Sequence, residues 1–141
     1  MNFSESHETI CEKSSNEPRI GFDLVRISEI TNSIDQFGKQ FTHRLFTSNE
    51  LAYADSGADL RAERLAARFA AKEATIKALK LSNTGIGWRE IEVLKFEDGD
   101  CEVILHGHLL DLACAMGVKK ILLSLSHDGD YAGAMVMVLF N

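Results

Sequence analysis

Hydrophobic residues recur along the chain with spacings that predict both helices and strands. The longest helical pattern covers residues 60–80, a stretch dense in Ala, Leu, Arg, Lys and Glu that contains no Gly or Pro. Leu65, Phe69 and Ile76 are four and seven residues apart and so share one face of this predicted helix. Glu73 interrupts the same face. Because a carboxylate removed from water needs a partner, a metal ion or a shifted pKa, Glu73 is a candidate functional residue.

The other patterns predict a single α+β domain. Strands are predicted at residues 20–25, 88–96, 101–105, 121–125 and 132–140, and further helices at 27–37, 47–54 and 108–116. This order favours a mixed, largely antiparallel sheet packed against a long central helix. The last predicted strand is almost wholly apolar, which indicates a central position in the sheet or a place at an interface.

Composition limits the classes of protein that fit. Residues 1–19 are rich in Ser, Glu and Asn without hydrophobic periodicity, which predicts a mobile tail before one domain at 20–141. A 45% hydrophobic content lets a chain of 141 residues bury its own core. No apolar run approaches the ~20 residues of a membrane span, and the N-terminus lacks the order of a signal peptide. We therefore expect a cytoplasmic protein with no membrane partner.

Charge is unevenly distributed along the chain. The net charge of −6 argues against a nucleic-acid partner, since nucleic-acid-binding surfaces are basic. Residues 61–80, in contrast, hold six Lys or Arg and two Glu, a local excess of +4. A basic helix on an acidic protein suits an anionic ligand or an acidic protein partner. A solvated helix face with pairs such as Glu73 and Lys77 explains the same charges equally well.

Two carboxylates in the chain suggest a metal site. Asp23 lies near the end of the first predicted strand, and Asp23 and Glu73 both supply hard oxygen ligands of the kind that Mg²⁺ prefers. Mg²⁺ commonly fills its other positions with water and phosphate oxygens, which predicts a phosphate-bearing substrate. Lys72 and Lys77 would add point charges beside the phosphates, and Arg68 a two-pronged contact.

Two further segments carry weaker signals. Gly85 lies in a connection with two glycines, residues 81–87, which either cradles phosphate or simply joins a helix to a strand. His127 lies in a predicted turn at 126–131. It either binds phosphate, carries protons or is an ordinary surface residue.

Four segments of the chain carry motifs that can be compared with known families. The chain reads Ile-Gly-Phe-Asp-Leu-Val at 20–25, Arg-Leu-Phe-Thr-x-x-Glu at 44–50, Phe-Ala-Ala-Lys-Glu-Ala at 69–74 and Ser-Leu-Ser-His-Asp at 124–128. In order and spacing these resemble the motifs of the holo-acyl-carrier-protein synthase family of 4′-phosphopantetheinyl transferases. The resemblance extends over residues 20–140, and four ordered motifs are far more specific than any one of them.

The resemblance implies an enzyme that moves 4′-phosphopantetheine from coenzyme A to a serine of an acyl carrier protein and releases adenosine 3′,5′-bisphosphate. It implies that Asp23 and Glu73 hold Mg²⁺ and that Lys77 stabilises the leaving phosphate. Either Glu73 or a water on the metal would take the serine proton. The contacts to coenzyme A implied by the family are Arg44, Arg68, Lys72, Gly85 and His127. The family also implies a homotrimer with sites between neighbouring subunits.

The first predicted helix departs from the family pattern. Family members usually present basic residues there for the acidic carrier protein, whereas this chain has Glu29 and Gln36 and keeps Arg26 and Lys39. The alternative hypothesis is therefore a non-catalytic module that binds coenzyme A or a carrier protein. A third hypothesis is a structural protein, in which Glu73 only forms a salt bridge.

Overall fold

The computed structural model describes residues 17–81 and 85–141. Its strands are β1 (Arg19–Arg26), β2 (Ile91–Lys95), β3 (Cys101–Leu105), β4 (Val118–Asp128) and β5 (Tyr131–Phe140). Its α-helices are α1 (Ile27–Phe37), α2 (Lys39–Leu45), α3 (Ser48–Asp55), α4 (Arg61–Leu79) and α5 (Gly107–Ala115). Short 3₁₀ helices occur at Ala58–Leu60 and Trp88–Glu90. The predicted α+β class and the long helix are confirmed.

The strands form two antiparallel sheets. One sheet has the order β1-β5-β4, and the other is the β2-β3 hairpin. The predicted central position of the last strand is confirmed, because β5 pairs with β1 on one side and β4 on the other. The two hairpins do not join into the single sheet that the sequence predicts. Hairpin pairing is local in the chain, whereas joining two hairpins depends on elements that are distant in the sequence.

The turn between β4 and β5 is tighter than predicted. Asp128 pairs with Tyr131, so only two residues lie between the strands, and Gly129 takes a left-handed conformation with φ of 56°. His127 therefore lies within β4, where it pairs with Ala132, and not in a turn. This placement corrects the prediction of a six-residue turn, and it fixes the direction of the His127 backbone by ladder hydrogen bonds.

Helix α4 packs directly against the sheet because small residues meet at the contact. Ala70, Ala74 and Ala78 are fully buried on α4. On β1, a Cβ atom at Gly21 would lie 1.9 Å from the carbonyl oxygen of Ala74, so only glycine permits this approach. The close contact holds Asp23, two residues further along β1, against α4.

The outer face of the larger sheet is apolar and exposed. Ile20, Phe22 and Leu24 of β1 are 62%, 54% and 56% exposed, and Met135 of β5 is 50% exposed. The polar-looking face of β1, which carries Gly21 and Asp23, is the one turned toward α4. Alternation predicts the strand correctly, but it does not predict which face the protomer buries.

Two parts of the sequence predictions lie outside the described residues. They are residues 1–16 of the predicted mobile tail and residues 82–84 of the two-glycine connection. Within 17–81 and 85–141, none of the helices combines the length and the apolar character needed to cross a membrane.

Candidate functional site

Three predicted site residues meet where β1 crosses α4. The ammonium of Lys77 donates to Asp23 Oδ1 at 2.8 Å and to the carbonyl oxygen of Phe22 at 3.2 Å. Glu73 precedes Lys77 by four residues, so both side chains leave the helix on the same side. The Asp23 side chain is 16% exposed and that of Lys77 is 52% exposed, which leaves this group open to a ligand from solvent.

The charges in this group perturb one another. Partial burial raises the pKa of Glu73, the neighbouring Asp23 carboxylate raises it further, and Lys77 opposes the rise. The hydrogen bond from Lys77 to Asp23 raises the pKa of Lys77. The carboxylates of Asp23 and Glu73 repel each other, and the one ammonium of Lys77 does not neutralise both. A cation bound beside them would therefore be stabilised.

The donor set fits a magnesium ion. No group of three or more His, Cys, Asp or Glu side chains arranged for a metal occurs in residues 17–81 and 85–141. Mg²⁺ does not need one, because it is usually held by one or two carboxylates and completes its shell with water and substrate phosphates. Asp23 and Glu73 provide this pair, on a strand and a helix that are both fixed by the Gly21 contact.

A cavity of about 300 Å³ adjoins Glu73 and Lys77. Its walls include Leu81, Gly85 and Trp88. Gly85 has a φ of 67°, a left-handed conformation that glycine adopts without strain. The structure thus brings Gly85 to the same cavity as the two charged residues of α4.

Arg68 and His127 meet at a second cavity of about 320 Å³, on the N-terminal side of Glu73 along α4. Arg68 is only 3% exposed, and its Nε has no hydrogen-bond partner. His127 Nδ1 lies 3.1 Å from Glu63 Oε1. Burial lowers the pKa of Arg68. The predicted site residues of α4 therefore line two separate cavities, with Glu73 and Lys77 at one and Arg68 at the other.

Arg44 lies apart from both cavities. It is exposed at the C-terminal end of α2 and lines neither of them. The structure does not bring it to the other predicted contacts within the protomer.

Lys72 does not lie at the site. Its side chain is 0% exposed, and its ammonium donates to Glu50 Oε1 at 2.7 Å and to the carbonyl oxygens of Trp88 and Ile91 at 3.0 and 2.6 Å. These three bonds use every donor of the ammonium. The prediction that Lys72 contacts a phosphate therefore does not fit the structure, and Lys72 instead joins α4 to α3 and to β2.

Sequence reasoning missed several residues around the second cavity. Tyr53, Arg64 and Lys95 line it beside Arg68. Arg64 had a usable signal, since it lies four residues before Arg68 on the basic helix. Tyr53 and Lys95 had none, because each reaches the cavity from a different element, α3 and β2.

Known proteins match this chain over most of its length. Residues 19–136 match the family described as the 4′-phosphopantetheinyl transferase superfamily. The chain is similar to the holo-[acyl-carrier-protein] synthase of Gloeobacter violaceus, at 41% identity over 121 residues, covering 86% of this chain and 92% of that one. It is 44% identical to the protein of the same name from Dehalococcoides mccartyi over 117 residues, covering 83% and 94%.

A solved structure shares the fold. The Chronobacterium ammoniagenes acyl carrier protein synthase in complex with coenzyme A superposes with a TM-score of 0.78 at 32% identity, covering 89% of this chain and 98% of that chain. The likeness therefore extends over nearly all of the residues that the structure describes.

Proposed function

Since the chain belongs to the holo-[acyl-carrier-protein] synthase family of the 4′-phosphopantetheinyl transferase superfamily, we propose that it transfers 4′-phosphopantetheine from coenzyme A to a serine of an acyl carrier protein. The observation that carries this proposal is the group formed by Asp23, Glu73 and Lys77 beside a cavity. We propose the cytoplasm as its compartment and fatty acid biosynthesis as its pathway.

The reaction exchanges one phosphorus–oxygen bond for another. The serine oxygen attacks the phosphorus that carries pantetheine, the bond to the second phosphate breaks, and adenosine 3′,5′-bisphosphate leaves. Glu73 is the carboxylate that we assign to accept the serine proton, because it lies on the same side of α4 as Lys77 and lines the same cavity. The Lys77 ammonium stabilises negative charge on the leaving phosphate.

Asp23 and Glu73 would hold Mg²⁺ in this proposal. When bound, the ion would neutralise charge on the two linked phosphates of coenzyme A. The protein's own contribution is to fix the two carboxylates on rigid elements, with Lys77 bridging to Asp23. The raised pKa of Glu73 supports this assignment, because two close carboxylates are stabilised by a cation between them.

In this proposal coenzyme A would contact residues of both cavities, which different subunits of an assembly could supply. Gly85 lines the first cavity, and Arg68 and His127 line the second. Arg44 remains part of the proposal only as a contact made across a subunit boundary, since it lines neither cavity of its own protomer.

The exposed apolar sheet face supports assembly into a homotrimer. Ile20, Phe22, Leu24 and Met135 are each at least half exposed. Burying such surface contributes about 25 cal/mol per Å². Light scattering should therefore give a mass three times 15.6 kDa, and a monomeric mass would contradict this assembly.

The transfer reaction is tested with purified chain, coenzyme A, Mg²⁺ and several apo-carrier proteins. We expect the carrier to gain the mass of one phosphopantetheine group, and we expect Asp23→Asn and Glu73→Gln to lose most of this activity. Asp55→Asn is the matched control, since Asp55 pairs with Arg61 on the surface, outside both cavities. Transfer to none of the carriers, together with tight binding of coenzyme A, would favour the non-catalytic module instead.

A further inference from the structure

The carboxylate of Glu90 joins two segments that are distant in the sequence. Its Oε2 accepts from the backbone N–H of Gly87 at 3.0 Å, and its Oε1 accepts from the backbone N–H of His108 at 2.9 Å. The backbone carbonyl oxygen of Glu90 also accepts from the N–H of His106 at 2.8 Å. Hydrogen bonds to a carboxylate are stronger than those between neutral groups. Glu90 therefore ties the connection before β2 to the first turn of α5.

Gly107 provides the space that this carboxylate occupies. A Cβ atom at Gly107 would lie only 2.9 Å from Glu90 Oε1. The φ of 56° at Gly107 is also a left-handed conformation, which glycine adopts without strain. A glycine at 107 therefore allows the carboxylate at 90 to reach the N–H of His108.

The segment that Glu90 holds forms one wall of the first cavity. Gly85, Ile86 and Trp88 line this cavity together with Glu73 and Lys77 of α4. The two charged residues are fixed by their helix, whereas the wall belongs to a connection between a helix and a strand. The distance across the cavity therefore depends on the contacts that hold this connection in place.

Two sets of contacts hold the connection. From α4, Lys72 donates to the carbonyl oxygen of Trp88 at 3.0 Å, and the ring of Phe69 packs against that of Trp88 with centroids 5.3 Å apart. One residue earlier, Gly87 donates to the Glu90 carboxylate and accepts from the Glu90 N–H, both at 3.0 Å. The contacts from α4 fix Trp88 itself, and those from Glu90 fix the backbone that precedes it.

We propose that Glu90 is a positioning residue that sets the wall of the first cavity against the ligand bound beside Glu73 and Lys77. Within the proposed function, on which this inference rests, that ligand is coenzyme A. Without the Glu90 contacts the wall shifts, while Glu73 and Lys77 stay in place on α4. Loss of these contacts should therefore weaken the binding of coenzyme A more than it slows the reaction of the bound complex.

The test uses the fluorescence of Trp88, which is the single tryptophan of the chain and so reports on this wall alone. Glu90→Gln keeps the size of the side chain but leaves one of the two N–H groups without an acceptor. In the full chain without carrier protein, we expect acrylamide to quench Trp88 more strongly than in the wild type. Calorimetry should show that coenzyme A binds about tenfold more weakly. Glu97→Gln makes the same change on an exposed residue of the β2–β3 turn and should alter neither measurement.

A second pair of variants separates positioning from a general loss of stability. Gly107→Ala places a Cβ atom against Glu90 Oε1 and should reproduce both effects of Glu90→Gln. Gly117→Ala is its matched control at the other end of α5. Gly117 is also left-handed, with φ of 82°, but in the described part of the chain no heavy atom lies within 4 Å of the added Cβ. This control should lose stability to a similar degree in urea unfolding, without changing the quenching of Trp88 or the binding of coenzyme A.

Wild-type quenching of Trp88 or wild-type affinity for coenzyme A in Glu90→Gln would overturn the inference, and so would equal effects of Gly107→Ala and Gly117→Ala. A fall in kcat at saturating coenzyme A as large as the fall in affinity would also contradict it, since Glu90 would then act on the reacting groups. Failure of the proposed function gives a different result. In that case Glu90→Gln still exposes Trp88 and weakens the binding of coenzyme A, but the wild type adds mass to no carrier protein.

Discussion

Helix α4 carries two lysine–carboxylate pairs that differ in little except burial. Lys72 bonds to Glu50 at 2.7 Å and Lys77 to Asp23 at 2.8 Å. The first pair is 0% exposed on both sides, whereas the Lys77 side chain is 52% exposed. The same pair of charges is therefore buried within the fold in one place and part of the candidate site five residues further on.

The buried pair is stable because every polar atom has a partner. Glu50 accepts hydrogen bonds from the backbone N–H of Thr47 and of Val93, both at 2.9 Å, and completes the predicted capping box of α3. Burial lowers the pKa of Lys72, and Glu50 opposes this shift. Because these polar atoms already have hydrogen-bond partners, the pair is not available to bind a ligand.

The exposed pair keeps its groups available. Glu73 adds a second carboxylate beside Asp23, and Glu73 and Lys77 both line the first cavity. Solvent screens the attraction, so the pair contributes little to stability and can rearrange. The difference teaches that a lysine–carboxylate pair on this helix stays available to a ligand only where solvent reaches it.

The largest effect should come from breaking the buried pair. Lys72→Met leaves Glu50 as an unpaired buried charge and should lower the free energy of unfolding by about 3–5 kcal/mol. Urea denaturation at fixed protein concentration measures this change. Combining Lys72→Met with Glu50→Gln should recover part of the loss, since the remaining charge is removed. If Lys72→Met cost no more than Lys77→Met, the distinction between the pairs would fail.

A smaller effect, on activity and not on stability, should come from Lys77→Met. We expect kcat/KM for phosphopantetheine transfer to fall by about 100-fold, or ~2.7 kcal/mol, because the leaving phosphate loses its ammonium. The free energy of unfolding should change by less than ~1 kcal/mol. Lys72→Met is the matched control, because its folded fraction should retain transfer. Equal losses of activity and stability in Lys77→Met would argue for a structural role.

The smallest effect should be a shift in the titration of Glu73. Asp23→Asn removes a negative neighbour that favours the protonated form, so the pKa of Glu73 should fall. Lys77→Met removes a positive neighbour that favours the ionised form, so the pKa should rise. Carboxyl carbon NMR across pH measures both shifts. Shifts in the same direction would show that these three groups do not interact as the structure indicates.

This titration also sets the expected pH dependence of the reaction. A carboxylate must be ionised to bind Mg²⁺ or to accept a proton, so transfer should be lost as pH falls. Because the pKa of Glu73 is raised in the metal-free protein, protons compete with Mg²⁺ for this carboxylate, and the Mg²⁺ concentration needed for transfer should increase as pH falls. In Lys77→Met, the remaining activity should be lost at a higher pH still.

Much of the fold follows from local patterns. The capping box of Thr47 and Glu50, the long helix and the strand that carries Asp23 were all predictable, because each depends on residues close in sequence. The resemblance to the synthase family is confirmed by the comparisons, since it rests on ordered motifs. Glu73 was found because a carboxylate interrupts a helical apolar face.

The sequence could not separate Lys72 from Lys77. Lys72 and Lys77 are five residues apart, so their side chains leave the helix about 140° apart, and both are close to Glu73 in the sequence. The helical pattern alone does not show which of the two is buried. What distinguishes them is Glu50, 22 residues earlier, whose helix folds over Lys72 and excludes water. The strand position of His127 and the outward apolar face of β1 were missed for the same kind of reason, since strand length and facing depend on distant partners.

The sequence by itself determined the secondary structure, the family and the two carboxylates of the candidate site. Tertiary structure alone decided which lysine is buried, which face of β1 is exposed and which two segments the Glu90 carboxylate joins. The physical reason is that periodicity and capping are set by neighbours in the chain, whereas burial and charge balance are set by whatever elements pack together. The candidate site residues on α4 were readable from the sequence, but which of them the fold buries and which it leaves exposed was not.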